Sequence, residues 1–118
     1  MGSFRVPIGI GDPAGDRFAD VEALVDTGAT YTWVPRNLLE QLGVHPTEEC
    51  PFLLAAGRQV NYPIAWVQVR IGGRIQPTIV VFGEPGSEPL LGVFTLEGFR
   101  LAAEPVNRRL LPVPALLK

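Results

Sequence analysis

The chain has 118 residues, of which 47% are hydrophobic and 19% are charged, and its net charge is −2. This length suits a single domain, residues 1–118, with its own core, and the composition excludes an intrinsically disordered chain. The slightly acidic balance gives no electrostatic reason to expect binding to nucleic acid or to an anionic membrane. No apolar run reaches the ~20 residues that a membrane-spanning helix needs, so we expect no membrane segment.

The single cysteine and the single histidine limit the chemistry further. Cys50 has no partner within the chain, so we predict no intrachain disulfide and a reducing, cytoplasmic setting. His45 cannot build a multi-histidine zinc site alone, and we therefore expect no metal and no cofactor. Its position between Val44 and Pro46 indicates a surface loop.

Turn-forming residues divide the sequence into short β-rich runs, since 13 glycines and 12 prolines are spread along its length. This pattern predicts an all-β fold, a closed barrel or sandwich with one or two short helices and a β-hairpin flap. The predicted strands are 4–10, 18–25, 31–34, 52–55, 59–71, 74–82, 101–103 and 110–113.

Two short helices are predicted between these strands. Asn37 and Glu40 have the spacing of a capping box, and Gly43 stands where a glycine commonly ends a helix. A second helix of one or two turns is predicted through 95–97.

A β-hairpin is predicted in the middle of the chain. Its arms are 52–55 and 59–71, and its tip is Ala56-Gly57-Arg58. Alternate residues are apolar late in the second arm, so one face of that strand is predicted to be buried.

The most informative stretch is 24–29, which reads Leu-Val-Asp-Thr-Gly-Ala. It places the Asp26 carboxylate at the end of an apolar strand, where desolvation is costly unless hydrogen bonds and a partner offset it. A hydroxyl and a glycine follow immediately, and glycine allows the backbone to approach the acid closely. Two more patterns accompany this stretch: Trp-Val-Pro at 33–35 and Leu-Leu-Gly at 90–92.

In this order, the motifs resemble those of the retropepsin-type aspartic proteases, over about residues 4–113. The resemblance implies that Asp26 is the catalytic acid and that Thr27 joins two such loops across a dimer axis. It also implies that the Gly28 N–H donates to the Asp26 carboxylate and that Ala29 keeps the cleft floor small. The hairpin at about 52–64 would be the flap, whose tip, Ala56, Gly57 and Arg58, closes over an extended peptide.

The chain departs from the retroviral members of that family in two places. Retroviral enzymes usually pair an acid after the Asp-Thr-Gly-Ala loop with an arginine after the late glycine. Here these positions hold Thr30 and Val93, so the ion pair is absent. Retroviral dimers also interleave both chain ends in one sheet, and Pro112 and Pro114 would interrupt such pairing.

One catalytic aspartate per chain predicts a homodimer. The reaction needs two carboxylates about one water apart, and Asp12, Asp16 and Asp20 lie in a turn or on a polar strand face. The second carboxylate is therefore expected to be Asp26 of another copy. Two unit charges ~3 Å apart repel by roughly 5 kcal/mol at an effective dielectric near 20, so the pair would hold one proton. Such sharing is an established property of aspartic proteases.

Three functions are compatible with these residues. The first is a homodimeric aspartic endopeptidase that cleaves extended peptides. The second is a dimerisation or peptide-binding module of the same fold with little or no turnover. The third is an unrelated hydrolase in which Asp26 works with another carboxylate. Under each, we expect Trp33 and Trp66 to pack in the core or against the hairpin rather than to contact a substrate.

Overall fold

The computed structural model describes residues 3–114, and these are mostly β-structure with two short helices. The elements are β1 (Arg5–Gly11), β2 (Phe18–Val25), β3 (Thr32–Pro35), α1 (Arg36–Gln41), β4 (Glu48–Leu53), β5 (Gln59–Ile71), β6 (Arg74–Gly83), β7 (Leu90–Leu91), α2 (Val93–Gly98), β8 (Leu101–Glu104) and β9 (Arg109–Pro112). Neither helix in this part of the chain has the length and apolar character required to cross a membrane.

Seven strands form one sheet in the order β1-β2-β7-β3-β6-β5-β4. A further pairing of β1 with β5, over residues 9–11, brings the sheet back onto itself as a ring. The all-β prediction is therefore confirmed. The sheet is ring-like rather than the closed barrel expected, because only three residues of β1 pair with β5 and β4 stays outside the ring. Strands β8 and β9 form a separate antiparallel hairpin.

The predicted hairpin is confirmed as β4–β5, and its first arm begins earlier than expected, at Glu48. Along β5 the predicted alternation is present, because Val67 and Val69 are buried whereas Trp66 on the opposite face is 51% exposed. The expectation that Trp66 packs in the core or against the hairpin is wrong. The alternation of side chains along a strand determines on which face of the sheet a residue lies. It does not determine whether another element covers that face.

Helix α1 begins differently from the prediction. Pro35 is the N-cap, because β3 continues through Pro35 to pair with Gly83 of β6. Asn37 thus lies inside the helix, and its Oδ1 accepts a hydrogen bond from the Gly86 N–H at 3.1 Å instead of capping. The predicted end is confirmed, since Gly43 has a positive φ of 76°.

The two faces of the main sheet have different surroundings. One face carries the main hydrophobic core, which includes Val34, Val67 and Val80. On the other face Trp33 of β3 is in register with Val81 of β6, and Val81 with Ile64 of β5. The side chains of neighbouring residues in register lie on the same face. This second apolar face lies under the β4–β5 hairpin and becomes one wall of the site described below.

Three buried threonines connect the sheet to helix α2. The Thr95 hydroxyl lies 2.7 Å from that of Thr32 and 2.8 Å from that of Thr78, and all three residues are at most 1% exposed. Thr32 Oγ1 also accepts the backbone N–H of Gly92 at 3.1 Å. Burying a hydroxyl costs free energy unless it has a hydrogen-bond partner. This network therefore holds helix α2 and its N-cap residue, Gly92, against the sheet.

We predict that Thr95→Val lowers the free energy of unfolding by about 2 kcal/mol, because the Thr32 and Thr78 hydroxyls lose their shared partner in a dry core. Thr95→Ser keeps the hydroxyl and should cost only about 1 kcal/mol, for one lost methyl group. Urea unfolding followed by circular dichroism measures both changes.

Thr30→Val is the matched control, because the Thr30 side chain is exposed; it should change stability by less than about 0.5 kcal/mol. Equal losses for the serine and valine variants of Thr95 would show that the hydroxyl network contributes nothing.

Candidate active site

Asp26 follows the last residue of β2, and backbone hydrogen bonds hold it in a tight loop. Its N–H donates to the Leu91 carbonyl at 3.0 Å, and its own carbonyl accepts the Ala29 N–H at 3.1 Å. The Gly28 N–H donates to Asp26 Oδ1 at 2.9 Å, which is the hydrogen bond that the family resemblance implies. The carboxylate is therefore oriented by its own loop while its residue stays only partly buried.

A Cβ on Gly28 would lie 3.3 Å from Asp26 Oδ1, closer than most side chains allow. Glycine is thus favoured here by the close approach of backbone and carboxylate.

Strand β7 and helix α2 support the Asp26 loop from behind. The parallel pairing of β7 with β2 places Leu91 beside Val25. Beyond it, the Val93 N–H donates to the Ala29 carbonyl at 2.9 Å and the Phe94 N–H to the Thr30 carbonyl at 2.8 Å. At the positions where retroviral enzymes have an ion pair, this chain therefore joins the two segments by backbone hydrogen bonds.

Gly92 is the point of closest contact between these segments. A Cβ added there would lie 2.5 Å from the Tyr31 carbonyl oxygen and 3.0 Å from the Ala29 carbonyl oxygen. Both contacts are with backbone, which cannot move aside without displacing the loop. The Leu-Leu-Gly pattern therefore has a steric cause: the chain after β7 passes directly beneath the Asp26 loop.

A cavity of about 660 Å³ separates the Asp26 loop from the β4–β5 hairpin. The loop side is formed by 28–31 with Trp33, and the hairpin side by 50–54 with Tyr62. The lining contains no Asp, Glu, Lys, Arg or His. A cavity of this size and character suits a peptide that has apolar side chains.

Aromatic side chains form much of that cavity. The Trp33 ring lies 4.8 Å from the Tyr62 ring and 5.4 Å from the Phe52 ring, measured between centroids. Tyr31 meets Phe52 edge-on at 6.2 Å. Trp33 packs against the hairpin, as predicted, but it also lines the cavity, where a bound ligand would contact it. Sequence reasoning did not identify Tyr31 and Phe52 as cavity walls, although Tyr31 and Trp33 stand two residues apart on a predicted extended segment.

The remaining predicted site residues lie at different distances from this cavity. Ala29 lines it, whereas Thr27 is exposed on the other side of the loop. The tip residues Ala56, Gly57 and Arg58 are exposed at the end of the hairpin, where Gly57 has a φ of 85°. The structure does not bring these three residues into the wall of the cavity, which the hairpin forms with residues nearer its base.

A second cavity, of about 300 Å³, lies on the Thr27 side of the loop. Asp26 and Thr27 form one wall, and Phe4, Ala103 and Pro105 contribute to the others. Within the described residues, Asp26 is the only carboxylate in the lining of the two cavities beside this loop.

The other aspartates near the N-terminus have structural partners of their own. Asp12 Oδ1 accepts the backbone N–H groups of Arg17 and Asp16, and the hydrogen bond from Arg17 in particular lowers the pKa of the Asp12 carboxyl. Asp20 forms an ion pair with Arg70. Within residues 3–114, no group of three or more His, Cys, Asp or Glu side chains is placed to hold a metal ion.

Comparison with known proteins agrees with this geometry. A family model described as "Aspartyl protease" matches residues 6–94, from β1 to the start of α2. No curated protein gave a significant match.

Several solved structures share the fold at low sequence identity. The simian foamy virus protease has a TM-score of 0.58 and 21% identity, over 80% of this chain and 93% of that one. The retroviral protease-like domain of Ddi1 from Leishmania major has a TM-score of 0.59 and 18% identity, over 95% and 89%. A Legionella pneumophila protein of unknown function has a TM-score of 0.59 and 14% identity, over 93% of each chain.

The family match includes the Asp26 loop, the hairpin and the glycine beneath the loop, and the structural matches extend over most of the chain. The protein belongs to the aspartyl protease family and has the retropepsin-like fold.

Proposed function

We propose that this protein is a homodimeric aspartic endopeptidase in which Asp26 from each of two chains activates one water molecule. The observation that carries this proposal is the Asp26 carboxylate, which is hydrogen-bonded within its loop and lines the smaller of the two cavities beside that loop, with no other carboxylate in the lining of either cavity. One acid can accept or donate a proton but cannot do both at once. A second copy supplies the missing group.

In the proposed reaction, the ionised carboxylate of one copy takes a proton from the water. The water oxygen attacks the peptide carbonyl carbon, and the protonated carboxyl of the other copy donates its proton to the carbonyl oxygen. Collapse of the tetrahedral intermediate breaks the C–N bond, and the leaving nitrogen takes up a proton from the carboxyl that received one. As the C=O bond of the product re-forms, a hydroxyl of the intermediate returns its proton to the other, ionised carboxylate. The pair ends with one proton, as it began.

The face with Thr27 is proposed as the surface that meets the second copy. Thr27 is exposed there, next to Ala103 and Pro105 from the β8–β9 hairpin. Pro112, expected to interrupt interleaved chain ends, is in register with Leu101 of its own chain within this hairpin. We therefore propose that the β8–β9 hairpin of each chain, together with the Thr27 hydroxyls, forms the dimer contact.

An extended peptide is proposed to lie in the cavity between the Asp26 loop and the β4–β5 hairpin. Uncharged and aromatic walls favour a large apolar side chain, and hairpin closure would exclude water from the reacting groups. The tip residues Ala56, Gly57 and Arg58, which lie beyond the cavity wall, are proposed to contact the peptide only after such closure.

We predict that Asp26→Asn abolishes peptide hydrolysis and leaves the fold intact, because the amide cannot take a proton from water. Hydrolysis of a mixed peptide library from mildly acidic to neutral pH, with and without a statine-type transition-state mimic, measures the loss. Asp16→Asn is the matched control, since Asp16 is exposed away from the site. Unchanged turnover by Asp26→Asn would refute the assignment, and binding of peptides by wild-type protein without cleavage would favour a binding module.

Adding inactive protein to active protein tests whether the site is shared. A mixed dimer holds one Asp26 carboxylate, so an approximately fourfold excess of Asp26→Asn chains should reduce the activity per wild-type chain to about one-fifth. The measurement requires subunit exchange at concentrations where sedimentation shows a dimer. Activity that is unaffected by exchanged Asp26→Asn chains would mean that each chain works alone.

Gly92→Ala should reduce kcat/KM at least about tenfold, because its methyl group collides with the backbone of Tyr31 and displaces the catalytic loop. Gly98→Ala is the control, since an added Cβ there meets nothing closer than 3.9 Å. Both variants are assayed with the same peptide and checked by circular dichroism. Equal activities for the two variants would show that the contact beneath the loop does not position Asp26.

A further inference from the structure

Aromatic side chains continue from the cavity onto an exposed part of the molecule. Tyr31, in the cavity wall, also contacts Phe94 of α2, with ring centroids 5.7 Å apart. Phe94 in turn meets Trp66 of β5 edge-on at 6.2 Å. Phe94 is 39% exposed and Trp66 is 51% exposed. We name these two side chains the outer aromatic patch.

The position of this patch follows from the register of the sheet. Trp66 pairs with Ile79 of β6, two residues from the pair formed by Ile64 and Val81. The alternation of side chains along a strand therefore puts Trp66 on the same face as Ile64, which is the face beneath the hairpin and not the core face. The outer aromatic patch is thus a continuation of the cavity wall, beyond the edge of the hairpin.

The rings of the patch are available to a ligand. The cation–aromatic contacts in the described residues place Arg70 over Phe18 and Arg74 over Phe99, so no guanidinium covers Phe94 or Trp66. The two rings form one contiguous apolar patch that adjoins the cavity, and apolar surface continuous with a cavity favours a binding surface.

The spacing of the rings matches that of an extended peptide. The steps from Tyr31 to Phe94 and from Phe94 to Trp66 are 5.7 and 6.2 Å. Side chains on one side of an extended chain are about 6.6 Å apart. A strand whose side chain lies in the cavity beside Tyr31 can therefore place alternate side chains against Phe94 and Trp66.

We propose that the outer aromatic patch is a distal subsite that binds a large apolar side chain of the peptide, outside the cleft. This inference rests on the proposed binding of an extended peptide, and it adds a selection for sequence several residues from the scissile bond. An aromatic or branched aliphatic side chain gains contact with the two rings. A charged side chain would lose hydration there without an oppositely charged partner.

The test measures binding rather than cleavage, so it does not depend on turnover. Blocked decapeptides with a central Leu-Phe pair carry Phe, Leu, Ala or Asp at one position, scanned from two to five residues from the centre. Their dissociation constants for the Asp26→Asn protein are measured by calorimetry. At one position we expect Phe to bind about 10-fold more tightly than Ala, and Asp more weakly than Ala.

Three further variants of the Asp26→Asn protein locate the preference. Adding Trp66→Ala should remove the 10-fold ratio, and adding Trp66→Phe should keep most of it. Ile75→Ala is the matched control, because Ile75 is 52% exposed on a neighbouring strand and lies outside the aromatic contacts; it should keep the full ratio.

The distal subsite is supported if Trp66→Ala loses the 10-fold preference for Phe over Ala while Trp66→Phe and Ile75→Ala keep it. A preference that Trp66→Ala retains, or the absence of any positional preference, overturns it. A change in sedimentation of Trp66→Ala without a change in peptide binding also overturns it, since the patch would then be a contact between copies. Hydrolysis that persists in Asp26→Asn would instead refute the proposed catalytic role and leave the binding ratios unaffected.

Discussion

The hydrogen bond from the Gly28 N–H to the Asp26 carboxylate is the interaction on which the site depends. It fixes one oxygen of the acid within its own loop and leaves the other available. The bond requires a backbone that turns sharply after β2, and Gly28 and Gly92 allow that turn, one beside the carboxylate and one beneath the loop. The buried hydroxyls of Thr32 and Thr95 then hold Gly92 and α2 against the sheet. The packing of the core and the orientation of the Asp26 carboxylate are therefore connected through this small set of contacts.

This arrangement explains how the chain can dispense with the ion pair found in retroviral enzymes. At positions 30 and 93 the segments meet through backbone N–H and carbonyl groups, which do not depend on side-chain identity. An exposed ion pair contributes little free energy, whereas buried backbone hydrogen bonds must be formed if the segments are to pack at all. The position of the loop is thus determined by its backbone contacts with strand β7 and helix α2.

Local patterns in the sequence predicted the fold better than they predicted its exposed surfaces. Strand β2 and the glycine that ends α1 follow from alternation and from conformational preference, which act over a few residues. The start of α1 could not be predicted from local preferences, because it depends on the long-range pairing of Pro35 with Gly83. The exposure of Trp66 was equally hidden, since alternation gives its face but not the absence of a covering element. The motif around Asp26 was enough to identify the acid. The aromatic walls of the cavity could not be predicted in the same way, because they depend on the register of β4 with β5.

The proposed enzyme would join one acid from each of two chains in a shared cleft. Its most direct test is a crystal structure of the protein with a statine-type transition-state mimic. The proposed mechanism requires a two-fold symmetric dimer in which carboxylate oxygens of the two Asp26 residues lie about 3 Å apart, with the mimic's hydroxyl between them. A monomeric complex, or a dimer with the two carboxylates far apart or facing separate interiors, would contradict it.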